Sequence, residues 1–448
     1  MSRAVPRSLA ARLLDDYDRS LDRAGFCGAR LAERLETISR IGLTENGGSN
    51  RPGFSEAERQ AKDLACDWMR VAGMSVTQDA AGNRFGRLAG RDENLPAVMC
   101  GSHVDSVPDG GHFDGVLGVV LAIEAVEMWS AAGVTPLRPY EVAIFSDEEG
   151  SRFNLGLLGS GAMVGRHTQD ELERLRDQDG RTFSSVVDAA GLPVPNFPQA
   201  QRDMSSIDSY VEVHIEQGRV LEREGLGLGV VSGICGLVGL EISVRGVAGH
   251  AGATPMPHRQ DALVSASRMV VAINTLPGQF SATAVATVGQ LNVLPNGANV
   301  IPGEVRFSVD IRDVAAGPLA ALAERIVATT VQIAKADQVE LSWSQVFSVP
   351  PTPVDPALVA VQEAAMAELG LPPFALPSGA GHDAMLIGAH APMAMFFVRS
   401  RDGVSHNPRE YSSLNDCAQA AHALSRTLTS LVNDPASPDE KQRRLHNV

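Results

Sequence analysis

PAVMCGSHVDSVPDGGHFDGVLGVVLAIEAVEMWSAAG, residues 96–133, decides how this chain is read. An apolar run of strand length, PAVMCGS (96–102), passes through a polar, glycine-rich loop into GVLGVVLAIEAVEMWSAAG (115–133). That second segment is too long for a strand and reads as a buried helix. Further along, EVAIFS (141–146) and YVEV (210–213) read as buried strands, and SEAERQAKDLACDWMRVAG (55–73) as an amphipathic helix. Strands separated by helices predict an α/β fold: a mixed, largely parallel sheet with helices on both faces.

Near Gly229 the organisation changes. LVGLEISVRG reads as a strand, DALVSASRMVVAIN as a helix and SATAVATVGQLNV as a strand. EVRFSVDIR, PLAALAERIVATTVQIAKAD and QVELSWSQV follow as strand, helix and strand. The order βαββαβ is the ferredoxin-like pattern. After SVPPTPVDP the α/β pattern resumes, with MAMFFVRS (393–400) as a strand and LNDCAQAAHALSRTLTSLV as a closing helix. The expectation is a discontinuous first domain, 1–228 and 346–448, interrupted by an inserted domain, 229–345. The polar tail PASPDEKQRRLHNV is expected to fray.

Composition narrows the function. The chain has 448 residues, enough for two cores, and a net charge of −15, which argues against a surface for nucleic-acid phosphates. Its five cysteines are scattered without a C-x-x-C, as expected of reduced thiols in a cytoplasmic protein. Asp15, Asp16 and Asp18 follow the early arginines with no apolar stretch behind them, so no secretory signal is expected. No run of about 18 apolar residues exists to span a membrane.

In GSHVDSVPDGGHFDG (101–115), His103 and Asp105 stand two apart as the chain leaves a strand, so their side chains lean to one side. One can bind a metal while the other accepts the imidazole N–H. Asp114 follows on a glycine-rich path. A lone His-x-Asp is weak, but the same geometry recurs: EVAIFS runs into Asp147, Glu148 and Glu149, YVEV into His214, and MAMFFVRS leads to His406. Four strands thus deliver imidazoles or carboxylates at their C-terminal ends, where ligands collect in open α/β sheets. Three adjacent acids after an apolar strand repel one another unless a cation or solvent offsets the charge. Imidazole and carboxylate donors without thiolates suit two divalent ions per subunit, Zn, Mn, Co or Ni. In the economical assembly Asp114 bridges, His103 and His214 complete one site, and Glu149 and His406 the other. Glu148, beside a ligand but not itself one, is the natural proton carrier.

At these residues the chain resembles the amidase/hydantoinase/carbamoylase branch of the dinuclear-metal aminoacylase and carboxypeptidase superfamily, over about Leu35 to Leu431. The strings that carry the resemblance are GSHVDSVPDGGHFDG, SDEEGSRF, VEVHIEQG, GHAGATPM, NVIPG, SGAGHDA and GVSHNP. The resemblance implies that Glu148 is the general base and that Asp105 orients His103. It implies a part in catalysis and substrate binding for His250, on a lid domain that also dimerises, commonly reaching the partner subunit's site. It places Gln217, Asn299, Arg312 and Gly379 at substrate-binding positions. In EVRFSVDIRD, Arg306, Ser308, Asp310 and Arg312 share the strand face opposite Val305, Phe307, Val309 and Ile311, so Arg312 is either a solvated face residue or a fork for a carboxylate.

The activity implied is metal-dependent hydrolysis of the carbamoyl C–N bond of a small ureido acid by a homodimer. GLVGLEISVRGVAGHAGATPM, TVGQLNVLPNGANVIPG and FFVRSRDGVSH are most similar to the N-carbamoyl-L-amino-acid hydrolase type. SGAGHDA departs from that type with Gly and Ala in place of Ala and Ser, which keeps the allantoate amidohydrolase and β-ureidopropionase types open. Two readings from other classes remain: a cysteine nucleophile, for which Cys100 at a strand end is the candidate, and a non-catalytic homologue.

Overall fold

The computed structural model describes residues 7–435, so the tail expected to fray lies outside the described residues but for Pro435. The chain divides into two compact units. One runs up to Val231 and takes in Val354–Leu376 and the chain from His382 onward; the other is Ser232–Pro353 with Pro377–Gly381. The division after the insertion falls later than the 345/346 boundary read from sequence, because the last strand of the insertion continues to Val349. The short return Pro377–Gly381 joins the inserted unit, where the Cys235 N–H donates to the Ser378 carbonyl at 2.9 Å.

In chain order the strands are β1 Ser75–Gln78, β2 Arg84–Leu88, β3 Ala97–His103, β4 Tyr140–Phe145, β5 Ile207–Ile215 and β6 Leu228–Ile234. The insertion holds β7 Gly236–Arg245, β8 Gly249–His250, β9 Val285–Thr287, β10 Leu291–Leu294, β11 Val300–Ile301, β12 Glu304–Asp313 and β13 Glu340–Val349. β14 Thr352–Pro353, β15 Ala375–Ser378 and β16 Met393–Val398 follow.

The large sheet has the order β1-β2-β4-β3-β5-β16-β6-β14, with β15 also on β6. Its centre, β4-β3-β5-β16, is parallel. The flanking pairs β1–β2, β2–β4, β16–β6 and β6–β14 are antiparallel. The four central strands are buried at every residue, because parallel strands covered on both faces need no polar side. Val98 and Cys100 of β3, Val211, Val213 and Ile215 of β5, and Ala394, Phe396 and Val398 of β16 enter one core. That core is closed by the helices Val116–Ala132 and Leu414–Asn433. The alternate residues, among them Met99, Glu212 and His214, face the other way, where the short helices Leu158–Met163 and Asp383–Ile387 pack. The helix Val116–Ala132 is apolar on nearly all sides, as burial demands.

The inserted unit has the sheet order β10-β12-β7-β13, with β9 also beside β12 and every pair antiparallel. Two helices, Ala262–Asn274 and Ala316–Ala336, cover one face, where Val305, Phe307, Val309 and Ile311 meet Val238, Leu240, Ile242 and Val244. This is the βαββαβ succession with two differences: β8 and β11 pair as a separate two-stranded sheet, and SATAVATVGQLNV forms two short strands rather than one. Gly289 sits at the break, and the Gln290 N–H turns to the Ser308 hydroxyl at 3.2 Å instead of a ladder partner. Among the described residues no helix is long and apolar enough to cross a membrane.

Candidate metal centre

The parallel strands end together. His103 closes β3, Asp147 comes two residues after β4, His214 is the last but one residue of β5, and the chain after β16 reaches His406. Several of these exits turn through left-handed backbone, with φ of 49° at Asp147, 59° at Gln217 and 53° at His406. Strain of this kind persists where surrounding structure holds it, and it gathers at functional sites. Gly115 is required here: at φ 66°, a Cβ in its place would lie 2.4 Å from the His103 ring.

Two trios of donors share one carboxylate. His103, Asp114 and His214 form the first, and Asp114, Glu149 and His406 the second; within each trio the ligand atoms lie within 4.8 Å of one another. The Asp114 Oδ1 atom faces His214 Nε2 at 3.2 Å and His103 Nε2 at 3.5 Å. Oδ2 faces His406 Nε2 at 3.6 Å, and that nitrogen is 3.2 Å from Glu149 Oε2. Glu148 Oε2 stands 3.6 Å from His103 Nε2.

The donor chemistry fits two divalent ions. His103 Nδ1 lies 3.2 Å from the Asp105 carbonyl and His214 Nδ1 lies 3.0 Å from the Ile215 carbonyl. A carbonyl can only accept, so each Nδ1 carries a proton, and Nε2 is the nitrogen a metal can take by displacing the proton there. The charge balance points the same way. Burial pushes the Glu148 carboxyl well above its usual range, against the pull of His103. Burial also opposes charge on Asp114, but His214 and His103 outweigh it and hold that carboxyl well below its usual range. The Glu149 hydrogen bond raises His406 to about 9. Buried carboxylates here take their compensation from imidazolium protons, and a bound dication supplies the same compensation more strongly.

The structure adds to the sequence reading. Asp105, read as the partner of the His103 ring, has its Oδ1 3.5 Å from His103 Nδ1, and its two oxygens accept the backbone N–H groups of Glu148 and Glu149 at 3.1 Å each. It therefore holds the acidic loop as well as facing the imidazole. Gln217 donates from Nε2 to Asp114 Oδ2 at 2.8 Å, beside the trios. Three further neighbours lie outside the set of site residues expected from the sequence. The Ser405 hydroxyl donates to Asp114 Oδ2 at 2.7 Å; the buried Glu410 carboxylate accepts the Asp114 backbone N–H; and the His382 ring lies 4.5 Å from that of His214. Ser405 adjoins His406 in GVSHNP and His382 lies in SGAGHDA, whereas no sequence signal points to Glu410. Burial, reinforced by His214, holds His382 well below its ordinary pKa and hence neutral.

The remaining residues read as substrate-binding lie in the inserted unit. Arg312 grips Asp310 through Nε at 2.8 Å and Nη2 at 2.9 Å, and donates from Nη1 to the Gly379 carbonyl at 2.6 Å. Arg312 and Gly379 are thus brought together, and two guanidinium N–H groups remain beyond these three bonds. His250 and Asn299 are also neighbours: β8 pairs with β11 at His250 and Val300, and the Ala251 N–H donates to the Asn299 carbonyl at 2.9 Å. His250 Nδ1 accepts the N–H groups of Gly252 and Ala253 at 3.0 and 3.1 Å, which leaves Nε2 to carry the proton of the neutral ring. Cys100, the thiol candidate, is fully buried in the sheet core, where burial pushes its pKa far up.

Residues 99–430 match the family described as Peptidase family M20/M25/M40. The chain is 42% identical over 405 residues to the N-carbamoyl-L-amino acid amidohydrolase of Geobacillus stearothermophilus, covering 90% of this chain and 98% of that one. It is 32% identical over 402 residues to the allantoate amidohydrolase of Bacillus subtilis, covering 90% and 97%. A crystal structure of an amidase of the hydantoinase/carbamoylase family from Burkholderia multivorans superposes with a TM-score of 0.86 at 36% identity, covering 92% of this chain and 99% of that one.

Proposed function

The chain belongs to Peptidase family M20/M25/M40, and from that premise we propose that it hydrolyses the carbamoyl C–N bond of an N-carbamoyl-L-amino acid. It is a hydrolase of non-peptide C–N bonds, as its amidohydrolase relatives are. The observation that carries the substrate class is the 42% identity to an N-carbamoyl-L-amino acid amidohydrolase along nearly its whole length, against 32% to an allantoate enzyme.

Two divalent ions per subunit, drawn from Zn, Mn, Co or Ni, would be held by His103 and His214 at one position and by Glu149 and His406 at the other, with Asp114 within reach of both. When bound they acidify the attacking water and polarise the ureido carbonyl. Glu148 takes a proton from that water as its oxygen bonds to the ureido carbon. Glu148 then passes the proton to the amino-acid nitrogen as the C–N bond breaks. The products are the free amino acid and carbamate, which decomposes to CO2 and ammonia. His250 serves as a neutral donor through Nε2–H toward the developing oxyanion, a role its Nδ1 bonds favour. Arg312 holds the substrate carboxylate with its remaining N–H groups, Asp310 keeping the guanidinium plane fixed. Gln217, Asn299 and Gly379 supply further polar contacts to the substrate.

We read the enzyme as a homodimer joined through the inserted unit. Eleven of the fourteen large apolar side chains that are exposed among the described residues lie there, Trp343, Val346 and Phe347 among them. Apolar exposure so concentrated marks an interaction face. A cytoplasmic location accords with five cysteines that are all unpaired.

The test measures ammonia release from N-carbamoyl-L- and D-amino acids, β-ureidopropionate and allantoate, with Mn, Co, Ni or Zn added to apo-protein. Preference for N-carbamoyl-L-amino acids is the expected result. A preference for allantoate would move the assignment to that relative's activity, and no turnover of any ureido acid would reject the reading.

A further inference from the structure

Glu410 belongs to none of the donor trios, yet it is only 2% exposed and lies against the loop that carries the shared ligand. One oxygen, Oε1, accepts both the Phe113 N–H at 2.8 Å and the Asp114 N–H at 3.1 Å. The loop is pressed onto this carboxylate: a Cβ on Gly111 would fall 2.0 Å from Glu410 Cδ, so any side chain there would displace the carboxylate. Burying a carboxylate is costly unless hydrogen bonds compensate, and here two backbone donors converge on it.

The same segment reaches Asp114 from its other end. Ser405 donates to Asp114 Oδ2 at 2.7 Å, His406 faces that oxygen at 3.6 Å, and the Glu410 N–H closes a turn onto the Asn407 carbonyl at 3.0 Å. One short stretch, 405–410, therefore grips both the carboxylate and the peptide of a single residue.

We propose that Glu410 is a positioning residue that fixes the Asp114 peptide, and thereby sets the shared carboxylate in register with both donor trios at once. This rests on the reading of Asp114 as the shared ligand. Because the grip is on the shared residue, its loss weakens both ions, whereas loss of His406 weakens one. Because the acceptor is a single oxygen, a neutral amide in the same place does the same work.

Apo-protein is titrated with Co2+ and with Zn2+ in the wild type and in Glu410→Gln, Glu410→Ala, Glu410→Asp and His406→Ala. Bound ions are counted after desalting, affinities come from competition with a chromogenic chelator, and the cobalt absorption spectrum is recorded. Glu410→Gln is expected to bind both ions within a few-fold of wild type and to keep its spectrum. Glu410→Ala should lose about tenfold or more in affinity for both ions, the scale seen when a partner of a metal ligand is removed. Glu410→Asp retracts the oxygen by one methylene and should behave as Ala does, so the proposal stays testable if the Ala variant does not fold. Wild-type affinity for both ions in the Asp variant, or a Gln variant as impaired as Ala or Asp, overturns the proposal. Loss confined to the ion that His406→Ala also loses overturns it too. A wild-type protein that binds neither ion overturns the metal reading itself, and this inference with it.

Discussion

The Asp105 carboxylate accepts the Glu149 backbone N–H at 3.1 Å, and its other oxygen accepts that of Glu148 at the same distance. A residue read in sequence as the partner of an imidazole therefore also fixes the loop that carries Glu148 and Glu149. Asp105→Ala leaves two N–H groups without their acceptor, and Asp105→Asn turns an NH2 toward one of them. Both variants should lose roughly 10–100-fold in metal affinity. Activity should fall further, because Glu148 moves with its peptide. Chelator competition beside kcat and KM measures this, and unchanged metal affinity in Asp105→Ala would contradict it.

Glu148 stands 3.6 Å from His103 Nε2 without sharing Asp114 as the trios do. Glu148→Gln keeps shape and size but cannot take a proton. The expected outcome is a fall in kcat of about 10²–10⁴, the range for general acid–base catalysis, with two ions still bound. Mass spectrometry of bound metal alongside steady-state kinetics separates the two effects. A Gln variant with wild-type kcat removes Glu148 from the proton path.

The donors were legible because strand ends announce themselves: apolar runs stop at His103, Asp147 and His214, and the parallel centre of the sheet brings those ends together. The βαββαβ insertion was legible for the same reason, through period and length. What could not be read were bonds between a side chain and a distant peptide, such as Glu410 to Asp114 or Asp105 to Glu148, since backbone N–H groups leave no mark in composition. The antiparallel edge β1–β2 is not legible in the sequence because RFGRL and SVTQ are short and partly polar, as edge strands are. The break between β9 and β10 depends on Ser308, a residue of another strand.

Cys100 points into the core between helix and sheet, and its thiol is held protonated by burial. A thiol-alkylating reagent should therefore leave activity intact over the time in which exhaustive chelation abolishes it, and restoring Mn, Co, Ni or Zn should return it. Activity that survives chelation but is lost to alkylation would reverse the assignment.

Far from the donor trios, His422 on the helix Leu414–Asn433 donates to the Leu21 carbonyl at 2.9 Å and lies 5.3 Å from the Phe26 ring. Burial lowers its pKa below the ordinary 6.5, the Leu21 carbonyl pulling the other way. The unfolded chain then takes up this proton at higher pH than the folded chain does. Stability from this group is complete above ~6.5 and is lost as the pH falls through that value toward the folded pKa. His422→Gln should flatten the fall in Tm of apo-protein between about pH 7 and pH 5. Parallel pH profiles for the two proteins would refute it. The apo form is used so that metal release in the same range does not contribute.

Arg312 and His250 belong to the same inserted unit but not to the same end of its sheet. β12 and β7 pair Arg312 with Leu237 and Glu304 with Arg245, so eight residues of strand, roughly 25 Å, separate those levels, and His250 follows beyond Arg245. A small ureido acid is too short to touch both residues of one protomer. If each contacts substrate, a given site takes Arg312 from one protomer and His250 from its partner. Mixing inactive His250→Ala and Glu148→Gln proteins, after dissociation and reassociation, should then yield mixed dimers with one working site: an intact Glu148 served by the partner's intact His250. Recovered ammonia release from N-carbamoyl-L-amino acids, with none from either parent, is the expected result. No recovery, although mixed dimers form, would place His250 at its own protomer's site or remove it from the reaction.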